Sequence, residues 1–328
     1  MSFPRIGGGL ALAVSALFAS SASAAVIFSD TFTAGSTLNP SSYPTPTATS
    51  TGYDLLSTRA STSGPSIAAN ALTLTFGGNA SSGASEIQAR IPSSTLATAG
   101  DSITYTAVFT NTSNLLAAGT SSMIYAGLYD SAGSNPVVLN NAGLNTTTGS
   151  SFATGNAANW QGYSARVAMS GGSSQIYTRP LQNGAGTTSA NQDVVGNNAG
   201  GGLYNNPTGT SLAGNLASTV TLATGGQYTY VLKLTRNVTG TLTYNASLYD
   251  GVGTGGTQLS TQTASTVTAL TYTYDAIALG YRTSGTSLNP VMTINSIAID
   301  ANIQPVLPEP AAIGGIAAAG LLAMRRRR

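Results

Sequence analysis

Through most of residues 26–303, hydrophobic side chains recur at every second position. The segment DSITYTAVFTNTS sets Ile103, Tyr105, Ala107 and Phe109 on one face, and QYTYVLKLTRN does the same with Tyr228, Tyr230, Leu232 and Leu234. GTLTYNASLYD follows with Leu242, Tyr244, Ala246 and Leu248, and MTINSIAIDANI with Ile294, Ile297 and Ile299 among its apolar residues. AIALGYR, YSARVAMS and SQIYTRP are shorter pieces of the same kind. Period-two alternation rich in β-branched and aromatic residues predicts half-buried antiparallel strands, and no segment between the two ends carries a helical pattern.

The punctuation agrees. DSAGSNP after Tyr129, RNVTG and DGVGTGG after Tyr249 are turns, because Gly and Asn reach positive φ at little steric cost. KLTRNVTGTLTYN predicts a hairpin across 237–240. Ala126–Gly133 and Ala246–Gly253 share the pattern A-x-L-Y-D-x-x-G, which predicts two similar strand-to-turn exits with Asp130 and Asp250 capping turn N–H groups. Residues 140–214, rich in Asn, Gly and Thr, read as long loops around short strands. Many short strands joined by turns imply an all-β sandwich or barrel, and about 280 residues suit one such domain.

Composition narrows the chemistry. Only 7% of the 328 residues are charged, and there is neither cysteine nor histidine. That excludes disulfides, thiolate nucleophiles, Ser-His-Asp catalysis and cysteine- or histidine-ligated metals. The formal charge of +2 comes from the ends, where Arg5 and Arg325–Arg328 lie. Between residues 25 and 305, seven basic residues meet nine acidic ones, a net of −2. No basic stripe is available for phosphates, so nucleic acid is not an expected partner.

Both ends read as addresses. MSFPRIGGGLALAVSALFASSASAAVIFSD begins with a positive residue, continues through an apolar run and reaches small residues at Ala22 and Ala24. This order predicts a secretory signal peptide over 1–24, cut by signal peptidase before Ala25; the alternative is a buried N-terminal helix. At the other end, 311–324 is an uncharged run that as a helix spans about 21 Å, short of a ~30 Å hydrocarbon core. Arg325, Arg326, Arg327 and Arg328 can snorkel to headgroups and hold their side cytoplasmic, leaving the body outside the membrane.

Pro308-Glu309-Pro310, the short apolar run and the arginine cluster together resemble the PEP-CTERM sorting signal of exported proteins in exopolysaccharide-producing Gram-negative bacteria. The resemblance covers 306–328 and implies processing by an exosortase, with transient membrane anchoring through the C-terminal segment. A permanent tail anchor is the alternative. The body, 25–305, resembles the concanavalin A-like lectin/glucanase sandwich, a jelly-roll arrangement, on the strength of VIFSDTFT, ASLYDG, YDAIALGYR and INSIAIDA. That resemblance implies two curved antiparallel sheets with the first and last strands adjacent. The catalytic E-x-D-x-x-E strand of its glucanase branch is missing, and Glu86 is the only glutamate in the body.

Three roles follow for the body. The first is a non-enzymatic structural component of the cell surface or extracellular matrix, associated with exopolysaccharide. The alternative is a carbohydrate-binding, lectin-like module; a divergent glycoside hydrolase is the third. Trp160, Tyr163, Arg166 and Tyr204 are the candidate glycan-binding residues, with core packing the competing reading for Trp160 and Tyr163. No catalytic residue and no cofactor is expected. Asp30, near the start of the first strand, and Asp300, near the end of the last, are a candidate structural calcium pair.

Overall fold

The computed structural model describes residues 24–33, 37–38, 40, 44–57, 66–68, 70–75, 83–113, 115, 122–136, 157–170, 173–181, 194, 211–216, 220–283 and 290–304. The signal-peptide segment before Ala24, the sorting motif Pro308–Pro310, Arg325–Arg328 and Tyr204 lie outside them. Ala24 and Ala25 are exposed at the start of the first strand. Among the described residues no helix is long and apolar enough to cross a membrane.

Sixteen strands are described. They are β1 (Ala25–Asp30), β2 (Thr37–Leu38), β3 (Gly52–Ser57), β4 (Ser66–Ala68), β5 (Ala71–Thr75), β6 (Gly83–Thr95), β7 (Ser102–Ser113) and β8 (Ser122–Asp130). After a 3-10 turn at Ala157–Asn159 come β9 (Gln161–Ser170), β10 (Ser174–Arg179), β11 (Ser211–Leu216), β12 (Gln227–Arg236), β13 (Thr241–Asp250), β14 (Gln258–Thr268), β15 (Thr273–Thr283) and β16 (Val291–Asn302). One eight-stranded sheet runs β14-β13-β12-β7-β16-β5-β4, with β1 also on β16; the other runs β11-β10-β9-β8-β15-β6-β3-β2. Every pairing is antiparallel except β2 with β3. The first and last strands are hydrogen-bonded neighbours, Val26 opposite Asp300 and Asp30 opposite Ile297.

Alternation decides which face meets which. Ile103, Tyr105, Ala107 and Phe109 of β7 and Tyr228, Tyr230, Leu232 and Leu234 of β12 turn inward from the first sheet. From the second sheet Tyr53, Leu55, Ile87, Ala89, Ile124, Ala126, Leu128, Ile277 and Leu279 join the same buried cluster. The two sheets therefore close a sandwich by facing their apolar sides together, the burial that drives β-sandwich folding. Tyr105, Tyr230 and Tyr244 are wholly buried with hydroxyls that have no hydrogen-bond partner. Burial raises all three above the ordinary tyrosine range.

The β12–β13 hairpin forms where expected: Asn237 N–H donates to Thr241 O, Gly240 N–H donates to Asn237 O, and Gly240 sits at φ 74°. A guanidinium locks its end. Arg236 donates to the carbonyls of Leu96 and Ala97, both at 2.7 Å, and lies 4.1 Å from the Tyr272 ring centroid. The two A-x-L-Y-D-x-x-G exits differ. Asp130 accepts from Ala132 N–H at 2.9 Å as expected. At the second exit the Thr229 hydroxyl of the neighbouring strand caps Gly253 N–H at 2.7 Å.

Candidate functional site

The second sheet has an outer face, turned away from the other sheet, on which charged and polar side chains gather, most of them buried. Registers draw three lines across it. Asp54 pairs with Gln88, Gln88 with Ala278, Ala278 with Gly127, Gly127 with Ser164, and Ser164 with Tyr177. The next line is Glu86, Gly280, Tyr125, Arg166 and Gln175. The third is Arg90, Ala276, Tyr129, Gly162 and Arg179. Alanine and glycine leave room in the middle of this face, which Tyr125 and Tyr129 fill, and polar side chains stand on both flanks.

On one flank Arg166 is half-buried. It donates to Ser173 O at 2.8 Å and to Gln175 Oε1, and its guanidinium lies 5.1 Å from the Tyr177 ring centroid. Tyr177 also donates to Gln175 Oε1. On the other flank Glu86 accepts from Gln88 Nε2 and from Val194 N–H at 3.1 Å. Arg90 reaches along the sheet to Asp275 at 2.9 Å, and Asp275 also holds Ser131 through its N–H and hydroxyl, each at 2.7 Å. Asp54 is only 1% exposed, and neither carboxylate oxygen has a hydrogen-bond partner. Desolvation pushes its pKa up to about 8.

Between the flanks lies a second small core. Tyr125, Tyr129, Trp160, Ala157, Val194, Met123, Ala276 and Ala278 pack together on the outer side of the sheet. Gly127 is required here, because a Cβ at that position would lie 2.1 Å from the Tyr129 hydroxyl. Tyr129 passes over the glycine and donates to Val194 O. Trp160 covers Tyr129 with ring centroids 6.0 Å apart, and its indole N–H donates to Ser134 O at 3.1 Å.

These positions revise the expected site. Trp160 and Tyr163 are both 0% exposed and cannot stack on a sugar in this arrangement, so core packing is the correct reading for them. Tyr163 belongs to the inter-sheet core, where its hydroxyl accepts from Leu270 N–H at 2.8 Å. Of the candidates described, only Arg166 lies on the outer face with part of its surface open, and its neighbours there are Gln175 and Tyr177. The calcium pair is separated by register: Asp30 faces Ile297, roughly 10–14 Å along the ladder from the Val26–Asp300 pair. Asp30 is committed as well, accepting from Phe32 N–H at 2.7 Å and from the Tyr53 hydroxyl at 3.0 Å. The sequence reading missed Asp54, whose signal was a charge set in the apolar run GYDLL, a poor residue for a strand.

No model of a protein family matches the sequence, and no curated protein matches it. Among solved structures the chain is similar to the CBM2 module of Lactobacillus casei BL23 phage J-1 evolved Dit, with a TM-score of 0.44 and 9% identity over 86% of this chain and 98% of that one. It is similar to basic winged bean lectin with Tn-antigen, with a TM-score of 0.39 and 12% identity over 77% of this chain and 94% of that one. A third is the VIP36 exoplasmic/lumenal domain in its Ca2+/Man3GlcNAc-bound form, with a TM-score of 0.38 and 13% identity over 79% of this chain and 87% of that one.

Proposed function

We propose that this chain is an exported, non-enzymatic carbohydrate-binding protein of the cell surface or extracellular matrix, delivered by its N-terminal signal and a PEP-CTERM-type tail. The observation that carries the reading is the outer face of the second sheet. A chain with 7% charged residues gathers Asp54, Glu86, Gln88, Arg90, Arg166, Gln175, Tyr177 and Arg179 on that one face. Saccharides offer apolar C–H patches edged by hydroxyls that both donate and accept. The middle of the face is closed by Tyr129 and Trp160, but Arg166 and Gln175, both part-exposed at one edge, offer the paired donor and acceptor that fit that chemistry.

Hydrolysis is disfavoured. A glycosidase sets two carboxyl groups on either side of the scissile bond, whereas Asp54 and Glu86 rise from adjacent strands of one sheet and are 1% and 3% exposed. The test is retention of the exported protein on a panel of immobilised polysaccharides. Arg166→Ala and Gln175→Ala are expected to lower retention at least tenfold when each variant is assayed well below its own melting temperature. Retention unaffected by either substitution sinks this site. No retention by the wild-type protein leaves the structural matrix role as the better reading.

A further inference from the structure

Asp54 is a carboxyl group with nothing to answer it. Tyr53 and Leu55 on either side of it point into the inter-sheet core, so its side chain is on the outer face. It is 1% exposed, and both oxygens lack a protein donor. Buried polar groups are almost always partnered, and an exception calls for a ligand or a function. Across the ladder it faces Gln88, and on the diagonal Glu86, whose Cα lies about 7–8 Å away by strand geometry. Arg90, the other diagonal neighbour, turns to Asp275 and Gly133 O.

We propose that Asp54 and Glu86, with the Gln88 amide oxygen, bind one divalent cation of the calcium class on the outer face of the second sheet. The donor chemistry selects the ion. Asp54, Glu86 and Gln88 offer only oxygen ligands, which hard cations prefer. Among the described residues no three acidic side chains converge, so two carboxylates and neutral oxygens form the shell. Such an irregular set suits calcium, which takes six to eight oxygens at about 2.3–2.6 Å, better than magnesium, which demands a regular octahedron. Diagonal neighbours on one face stand close enough for side chains of two and three carbons to reach a shared ion. The ion compensates the Asp54 charge and ties β3, next to the edge of the sheet, to β6.

Thermal melting of the exported protein in EGTA and in 10 mM CaCl2 at pH 8 tests the site. Affinities in the extracellular range predict a rise of roughly 3–8 °C in calcium. Asp54→Asn is expected to abolish that rise and to melt higher than wild type in EGTA, since the amide removes an uncompensated charge at constant shape. Calorimetric titration of the wild-type protein with CaCl2 gives a second reading: one ion at pH 8, bound at least tenfold more weakly at pH 5 and by Glu86→Gln. A wild-type melting temperature indifferent to calcium with no binding heat overturns the proposal. So does a calcium response that survives unchanged in both variants.

Discussion

Two kinds of buried residue carry the consequences of this fold. Trp160 illustrates the first. A 0% exposed indole on Tyr129 makes Trp160→Ala a core truncation, expected to cost about 3–5 kcal/mol in denaturant unfolding and not to remove a sugar contact selectively. The unpartnered groups are the second kind. The Tyr105 and Tyr230 hydroxyls hold no hydrogen bond, so Tyr105→Phe and Tyr230→Phe delete a desolvated group while keeping the ring. Each is expected to be neutral or stabilising by about 1 kcal/mol in urea melts. Asp54 extends this logic to pH. Its folded pKa of about 8 stands above the ordinary carboxylate value near 4 of the unfolded chain. Between those values the folded state keeps a proton that the unfolded state has lost, so stability falls as pH rises from about 4 to 8 and levels off above. In EGTA the loss is on the order of a few kcal/mol, and Asp54→Asn flattens the profile. A stability that instead rises through that window would show Asp54 to be charged and compensated in the folded protein.

At the scale of elements, legibility followed periodicity. Strands β7, β12 and β13 alternate because one face meets the core and the other is mostly the less buried one, and β16 alternates on either side of an irregularity between Ile294 and Ser296; the sequence shows them directly. Strand β8 is different: Met123, Tyr125 and Tyr129 are buried on one face and Ile124, Ala126 and Leu128 on the other. Apolar residues on both faces are the sign of a strand covered on both sides, and that sign was present in SMIYAGLYD. What covers the outer face was not readable, because Trp160 and Val194 reach it from segments far away along the chain. The candidate site was illegible for the same reason. Asp54, Glu86 and Arg166 become members of one face only through the order of β3, β6, β15, β8 and β9, which local pattern does not encode. Connections between elements are equally non-local. Arg236, at the end of β12, holds the carbonyls that link β6 to β7 and stacks on Tyr272, which precedes β15. Arg236→Ala is expected to cost about 2–3 kcal/mol, since it leaves two charge-assisted acceptors and an aromatic face without their cation. Arg236→Lys should recover only part of this, because an ammonium can replace the one nitrogen that serves both carbonyls but not the planar guanidinium on the Tyr272 ring.

For the whole molecule the decisive quantity is charge. The described strands all fall within one compact unit, Ala24–Ile303, and the formal balance of 25–305 is −2, against +2 for the full chain. If both ends are removed on export, as proposed, the mature protein is acidic while its precursor is basic. At pH 8 and low salt, where surface charges are least screened, the extracellular form should bind an anion exchanger and the precursor a cation exchanger. Intact mass separates processing from permanent anchoring, because a processed protein ends upstream of Arg325–Arg328 and an anchored one retains them. Deleting 306–328 supplies the causal arm. A sorting tail predicts that the truncated chain is still exported, since the signal at the other end is untouched, but no longer reaches the surface or matrix fraction. Unchanged surface delivery without the tail would refute its role as an address. A mature protein that ends at Arg328 would make it an anchor, with the body held at the membrane instead of released into the matrix.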